Sequence, residues 1–138
     1  MNSKIKEMIS VAHQALANAY APYSKFSVSS CVLSEDGHLY TGVNVENSST
    51  SLGICAESGA ICQMVAAGQK KIKAIVVLAA SEELCSPCGA CRQRIFEFSD
   101  PETRVYMCNK TGILQTHTIG ELLPLAFKLN PDYGKSND

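Results

Sequence analysis

The sequence predicts an α/β fold in which helices pack on a mixed sheet of about five strands, in a single domain spanning residues 1–138. Three observations carry this expectation. Helical and strand periodicities alternate in the order α-β-β-α-β-α-β-β-α, the pattern of a layered α/β domain. The segment Ile72 to Ala80 is apolar on both faces, which suits a central strand covered on both sides. Asp36-Gly37 joins two strand-like segments and is a hairpin signal, because Gly tolerates the positive φ such turns require.

Taken in order, Ile5, Met8, Ile9, Ala12, Ala15, Leu16 and Ala19 recur at helical spacing and predict an amphipathic helix over residues 3–19. Pro22 ends it, because a proline disfavours a helical residue before it. Residues 27–33 and 39–45 form the two strands of the hairpin. Residues 55–67 form the next helix, closed by Gly68. After the central strand, Pro87 sits in the first turn of a helix over roughly 88–98. Val105-Tyr106-Met107 and Ile113-Leu114 are two further strands around Lys110-Thr111-Gly112. Thr118 with Glu121 makes a capping box for a short last helix. Repeats, linkers and low-complexity stretches are absent.

Composition limits the classes of function. A hydrophobic fraction of 46% and a charged fraction of 18% belong to a packed globular chain. Twelve basic and thirteen acidic residues give a formal net charge of −1. Lys70, Lys71 and Lys73 read as a solvated turn, so the basic face that tracking phosphates requires is missing and no nucleic-acid partner is expected. The start of the chain lacks an apolar signal-peptide core, and the longest apolar run is too short to cross a membrane. Seven cysteines, an odd number without an export signal, point to reduced thiols in the cytoplasm, some of them on metal.

Chemistry concentrates in Cys55-Ala56-Glu57 and Pro87-Cys88-Gly89-Ala90-Cys91. Cys55, Cys88 and Cys91 offer three soft ligands, which on tetrahedral zinc leave a fourth position open, as catalytic sites do. Glu57 adds a carboxylate able to move protons there. If Cys55 and Cys88 each begin a helix, both thiolates gain from a positive helix end. Cys88 and Cys91 then share one helix face. Alternatives exist on the residues alone. Cys85 could close a four-cysteine structural site or begin an iron–sulfur run, the CxxC could be a redox pair, and Glu57 could simply favour a helix N-terminus.

These residues resemble the small-chain zinc-dependent cytidine deaminases of the cytidine/deoxycytidylate deaminase superfamily. The likeness runs through Tyr20-Ala21-Pro22-Tyr23-Ser24-Lys25-Phe26-Ser27-Val28, Gly42-Val43-Asn44-Val45-Glu46-Asn47, Ile54-Cys55-Ala56-Glu57, Ser86-Pro87-Cys88-Gly89-Ala90-Cys91-Arg92-Gln93 and Leu122-Leu123-Pro124-Leu125-Ala126-Phe127. The resemblance implies a three-layer α/β/α sandwich, one zinc ion per chain on Cys55, Cys88 and Cys91, and Glu57 as proton shuttle. It implies that Asn44 and Glu46 bind the ribose, that Phe26 packs on the pyrimidine, and that Ala56 contacts the substrate. It also implies a homotetramer in which Phe127 reaches a neighbouring subunit's site. On spacing alone Phe26 and Phe127 read as core aromatics, and Asn44 and Glu46 as polar residues at a strand end.

The implied reaction is hydrolytic deamination of cytidine and 2′-deoxycytidine to the uridines, with water as co-substrate and ammonia released, a step of pyrimidine salvage. Glu57 would carry the proton of a zinc-activated water to N3 of cytosine and then help the amine leave. Three thiolates on Zn²⁺ sum to −1, which opposes water ionisation. Relatives often place an arginine after the glutamate, where this chain has Ser58. Arg92, next to Cys91, together with the helix N-termini, is the expected compensation. Thr50 stands where many relatives carry an aromatic residue. Two other readings remain: a deaminase of another cytosine compound such as blasticidin S, and a non-catalytic zinc-binding module closed by Cys85.

Overall fold

Helix α1, Ser3–Leu16, begins at Asn2, whose side-chain oxygen accepts the Ile5 N–H at 2.9 Å. The fold is known from a computed structural model that describes residues 2–129; Met1 and residues 130–138, the ends of the expected 1–138 domain, lie outside the described residues. α1 stops at Leu16 rather than Ala19. The N–H groups of Asn18 and Ala19 turn to the carbonyls three residues back, at 2.9 and 3.2 Å, which tightens the turn and ends the α-helical pattern.

Strand β1, Val28–Ser34, and strand β2, Leu39–Val43, pair antiparallel across the turn at Gly37, whose φ is +91°. β2 ends two residues earlier than its alternation implies. The Asn44 side chain crosses to the backbone of Phe26 and Val28, and Val45 pairs instead with Tyr20 and Ile54. A 3₁₀ turn at Thr50–Leu52 leads into α2, Ala56–Ala66. Strand β3, Ile72–Ala79, is followed by α3, Gly89–Glu97. Strands β4, Arg104–Asn109, and β5, Gly112–Thr118, form a second hairpin. Both run longer than the apolar pattern implies. β5 is an edge strand whose Gln115, Thr116 and His117 are polar, so its ladder continues where hydrophobic alternation stops. Helix α4, Ile119–Leu122, starts at Thr118 with the expected reciprocal bonds between Thr118 and Glu121.

The sheet order is β2-β1-β3-β4-β5, with β3 and β4 parallel and the other pairs antiparallel. Alternation along β3 divides the core. Ile75 and Val77 pack with Ala60, Ile61 and Met64 of α2 and Ile95 of α3. Ala74, Val76 and Leu78 pack with Ile5, Met8, Ala12 and Leu16 of α1. This makes the three-layer α/β/α sandwich on a mixed five-stranded sheet, and it places the start of α3 beyond the carboxyl end of the parallel pair, where open α/β sheets hold their sites.

One close approach locks the hairpin to α2. A Cβ at Gly42 of β2 would lie 2.3 Å from both the Ala56 carbonyl oxygen and the Ala60 nitrogen. Only a glycine lets β2 sit this close to the first turns of α2. Among the described residues no helix is long and apolar enough to cross a membrane.

Candidate active site

Cys55 is the N-cap of α2 and Cys88 the N-cap of α3. That position is usually held by Ser, Thr, Asp or Asn, whose oxygen closes onto a first-turn N–H. Neither thiol makes such a bond, so both sulfurs stand at positive helix ends with their ligand capacity free. Both expected helices therefore begin one residue late, with the cysteine outside the helix as its cap. Cys91, in the first turn of α3, is fully buried.

The three Sγ atoms lie within 4.8 Å of one another, and among the described residues no other group of His, Cys, Asp and Glu side chains is so gathered. Tetrahedral zinc with Zn–S bonds of about 2.3 Å sets its sulfurs about 3.8 Å apart. A small closure satisfies that geometry, and three thiols are the soft donor set zinc takes. Cys85 lines the same cleft without joining the group, so the fourth ligand of a closed Cys₄ site is missing from the gathered donors.

Glu57, in the first turn of α2, is only 4% exposed. Burial raises its carboxyl above the ordinary range, partly offset by its own backbone N–H, by the Cys91 thiol and by the Arg94 charge. Burial likewise raises the thiols of Cys55 and Cys91. The Cys88 thiol is lowered, chiefly by its nearness to the Cys91 backbone N–H at the start of α3. Desolvation disfavours each anion, and a divalent cation at the sulfurs reverses that balance.

The thiols and Glu57 open on a cleft of about 380 Å³ that is also lined by Asn44, Glu46 and Ala56. Asn44 accepts the Val28 N–H at 2.9 Å and donates to the Phe26 carbonyl at 2.8 Å. Glu46 accepts the N–H groups of Tyr23 and Ser24 at 3.0 and 3.1 Å, and the Ser24 hydroxyl as well. These contacts hold its carboxyl below its usual value, the Ser24 hydroxyl contributing most. Each side chain keeps hydrogen-bonding capacity for a ligand, one amide N–H on Asn44 and an unshared oxygen lone pair on Glu46.

Other expected residues stand apart. Phe26 is 37% exposed and is not among the residues lining the cleft. Phe127 is 71% exposed, and its carbonyl accepts from Gln93 Nε2 at 2.9 Å. Arg92 makes no hydrogen bond to the sulfurs. Its guanidinium donates to the Pro87 carbonyl, the Leu122 carbonyl and the Ser86 hydroxyl at 2.7–2.8 Å, tying α3 to the end of the loop that precedes it and to α4. The arginine that reaches a thiol is Arg94, whose Nη1 lies 3.7 Å from Cys91 Sγ. Its position three residues after Cys91 puts both on one helix face, a signal readable from spacing, whereas residue 92 projects elsewhere. Ser24 was legible only as part of a motif, because its partner Glu46 is twenty-two positions away.

Fold and site together define an α/β sandwich with three gathered thiols, a donor set that fits zinc, beside a buried carboxylate. A family model, the cytidine and deoxycytidylate deaminase zinc-binding region, matches residues 2–108. A cytidine deaminase of Sporosarcina psychrophila is 43% identical over 123 residues, covering 89% of this chain and 90% of that one. The crystal structure of cytidine deaminase from Burkholderia pseudomallei superposes with a TM-score of 0.84 at 38% identity, covering 92% of this chain and all of that one. A blasticidin-S deaminase of Bacillus cereus is 30% identical over 132 residues, 90% of this chain and 92% of that one. The chain belongs to the zinc-dependent cytidine and deoxycytidylate deaminase family, and its cofactor is zinc.

Proposed function

We propose that this single-domain chain deaminates cytidine and 2′-deoxycytidine to uridine and 2′-deoxyuridine, with Cys55, Cys88 and Cys91 holding zinc and Glu57 moving the protons. The observation that carries the reading is a carboxylate only 4% exposed, opening on the same cleft as three thiols within 4.8 Å of one another. When bound, zinc supplies Lewis-acid polarisation and makes water nucleophilic near neutral pH.

The chain's own groups do the rest. Glu57 takes a proton from the attacking water and delivers it to N3 of cytosine, which makes C4 electrophilic. A C4–O bond forms; Glu57 then takes the proton of the new C4 hydroxyl and passes it to the exocyclic amine, the C4–N bond breaks, C4 becomes a carbonyl, and ammonia leaves. Its buried position beside the thiols lets one carboxylate serve both halves of that cycle. Asn44 and Glu46 take the ribose hydroxyls, fixing C4 over the thiols so that contacts remote from the reacting carbon contribute to the rate. Ala56 lines the floor of the cleft, and Phe26 turns in to the pyrimidine once substrate is present.

Exposed apolar side chains, Ile54 at the cleft and Leu52 and Phe127 outside it, support a homotetramer in which Phe127 completes a neighbour's cleft. Reduced thiols support a cytoplasmic enzyme of pyrimidine salvage. The deciding experiment is ammonia release from cytidine by zinc-loaded protein, with Glu57→Ala alongside. Release by the wild type alone is expected, and equal release by both proteins removes Glu57 from the chemistry. The Bacillus cereus relative makes blasticidin S the second substrate to try; the Asn44 and Glu46 pair at the cleft favours the nucleoside.

A further inference from the structure

Three thiolates on one Zn²⁺ leave a net −1, and an ionised Glu57 beside them brings the centre to −2. Helix N-termini offset part of this, but they act through partial charges. A full positive charge is needed close to the sulfurs, and two arginines of α3 are near enough in sequence to supply it.

Geometry separates them. Arg92 has its donors engaged by Pro87, Ser86 and Leu122. Arg94 reaches Cys91 Sγ at 3.7 Å, and among the described residues it pairs with no carboxylate. Its charge acts on Cys55 and on Glu57 as well, favouring the anion at both. Ser58, beside Glu57 on α2, brings no charge to the centre. The bland account of Arg94 is a cation in the last turn of α3, where it complements the helix dipole. That account explains neither the direction of the guanidinium nor its reach to a buried sulfur.

We propose that Arg94 is the charge-compensating positioning residue of the zinc centre. It donates to the Cys91 thiolate from outside the ligand set and lowers the cost of gathering three anions. This rests on the assignment of Cys55, Cys88 and Cys91 as the ligands. Residues that orient or polarise a metal ligand in this way change metal affinity by about 10- to 100-fold when removed.

Zinc affinity is measured by competition with a chromophoric chelator for wild type, Arg94→Gln, Arg94→Met and Arg94→Lys, with Cys55→Ser beside them. Far-UV circular dichroism of each zinc-free protein establishes that it is folded; Arg94 is exposed near the end of its helix, so all three variants keep the core. Loss of about tenfold in Arg94→Gln and Arg94→Met, with most of it restored in Arg94→Lys, is expected. The deficit should also narrow in high salt, because an exposed charge is screened. Wild-type affinity in Arg94→Gln overturns the proposal, as does an Arg94→Lys protein as weak as Arg94→Gln, since shape would then matter and charge would not. If Cys55→Ser binds zinc as the wild type does, the ligand assignment fails and the role of Arg94 falls with it. If Cys55→Ser loses zinc while the Arg94 variants do not, only Arg94 is reassigned.

Discussion

Replacing Gly42 by alanine should separate the scaffold's role from the chemistry. The added Cβ meets the Ala56 carbonyl oxygen and the Ala60 nitrogen at 2.3 Å each, and the Gly59 carbonyl carbon at 2.8 Å. All three are backbone atoms of α2, so rotating a side chain gives no relief. Opening these contacts to an ordinary separation requires about 1 Å of relative movement between β2 and α2. Overpacking of this kind costs about 1–3 kcal/mol, and the upper end applies because the obstacle is helix backbone. A loss of about 3 kcal/mol in a chain this size lowers the melting temperature by roughly 10 °C. The same shift moves Ala56 and Glu57, and about 1 Å of misplacement at a reacting centre costs on the order of 100-fold in rate.

Thermal unfolding of the zinc-free protein, followed by ammonia release from the loaded one, measures both effects. Gly59→Ala is the matched control. Its Cβ comes no closer than 3.4 Å to any atom outside its own helix, so it should be neutral or gain up to about 1 kcal/mol from helix propensity. A Gly42→Ala protein within about 0.5 kcal/mol of wild type would refute the claim that this contact sets the spacing of β2 and α2.

Other perturbations give distinct signatures. Glu57→Gln should keep zinc at wild-type occupancy and lower turnover by about 10²–10⁴-fold, read as ammonia release against metal content. Ser24→Ala should raise KM for cytidine several-fold with little change in kcat, since it frees the Glu46 carboxylate from its hydroxyl partner; an unchanged KM would mean that Glu46 is held well enough by the backbone alone. Burial holds the Cys31 thiol protonated up to about 12 and that of Cys108 up to about 11, against 9.0 when unfolded. Because the unfolded chain ionises first, both thiols favour unfolding progressively as pH rises from 9 towards those values, and Cys31→Ala should flatten that alkaline loss in a denaturant titration series. Below pH 9 neither contributes to the slope. Removing zinc with a chelator should abolish ammonia release while leaving the far-UV spectrum intact; the accompanying loss of stability is set by linkage, about 2.7 kcal/mol at a free zinc concentration 100 times Kd.

What could be read from the chain follows the range of each interaction. The central strand was legible because burial on both faces writes itself as unbroken apolar sequence from Ala74 onward. The gathering of Cys55, Cys88 and Cys91 beside Glu57 was legible because much of it is local, set by offsets of two and three residues at helix starts. The end of β2 was not, since Asn44 leaves the ladder for the backbone of Phe26 and Val28, a contact that exists only once the chain has folded back. The length of β5 was hidden by its polar edge. Arg92 drew attention by adjacency to Cys91, yet neighbours on a helix point about 100° apart, and Arg94 is the one on the sulfur's side. Gly42 carries no sign of its function beyond its identity, because what it accommodates is a helix fourteen positions later.

The placement of Cys55 and Cys88 at helix caps, outside both apolar clusters, has a consequence for how the protein matures. The two clusters that hold the sheet between its helices are built from aliphatic side chains, with Cys31 and Cys108 as small apolar members, and none of them needs a metal to pack. A zinc finger, by contrast, has no fold to speak of until its ion arrives. Here the ion joins a finished frame, drawing together the starts of two helices that already face each other. Newly made chains can therefore persist as a folded, inactive reserve, and the supply of zinc then determines how many become working enzyme.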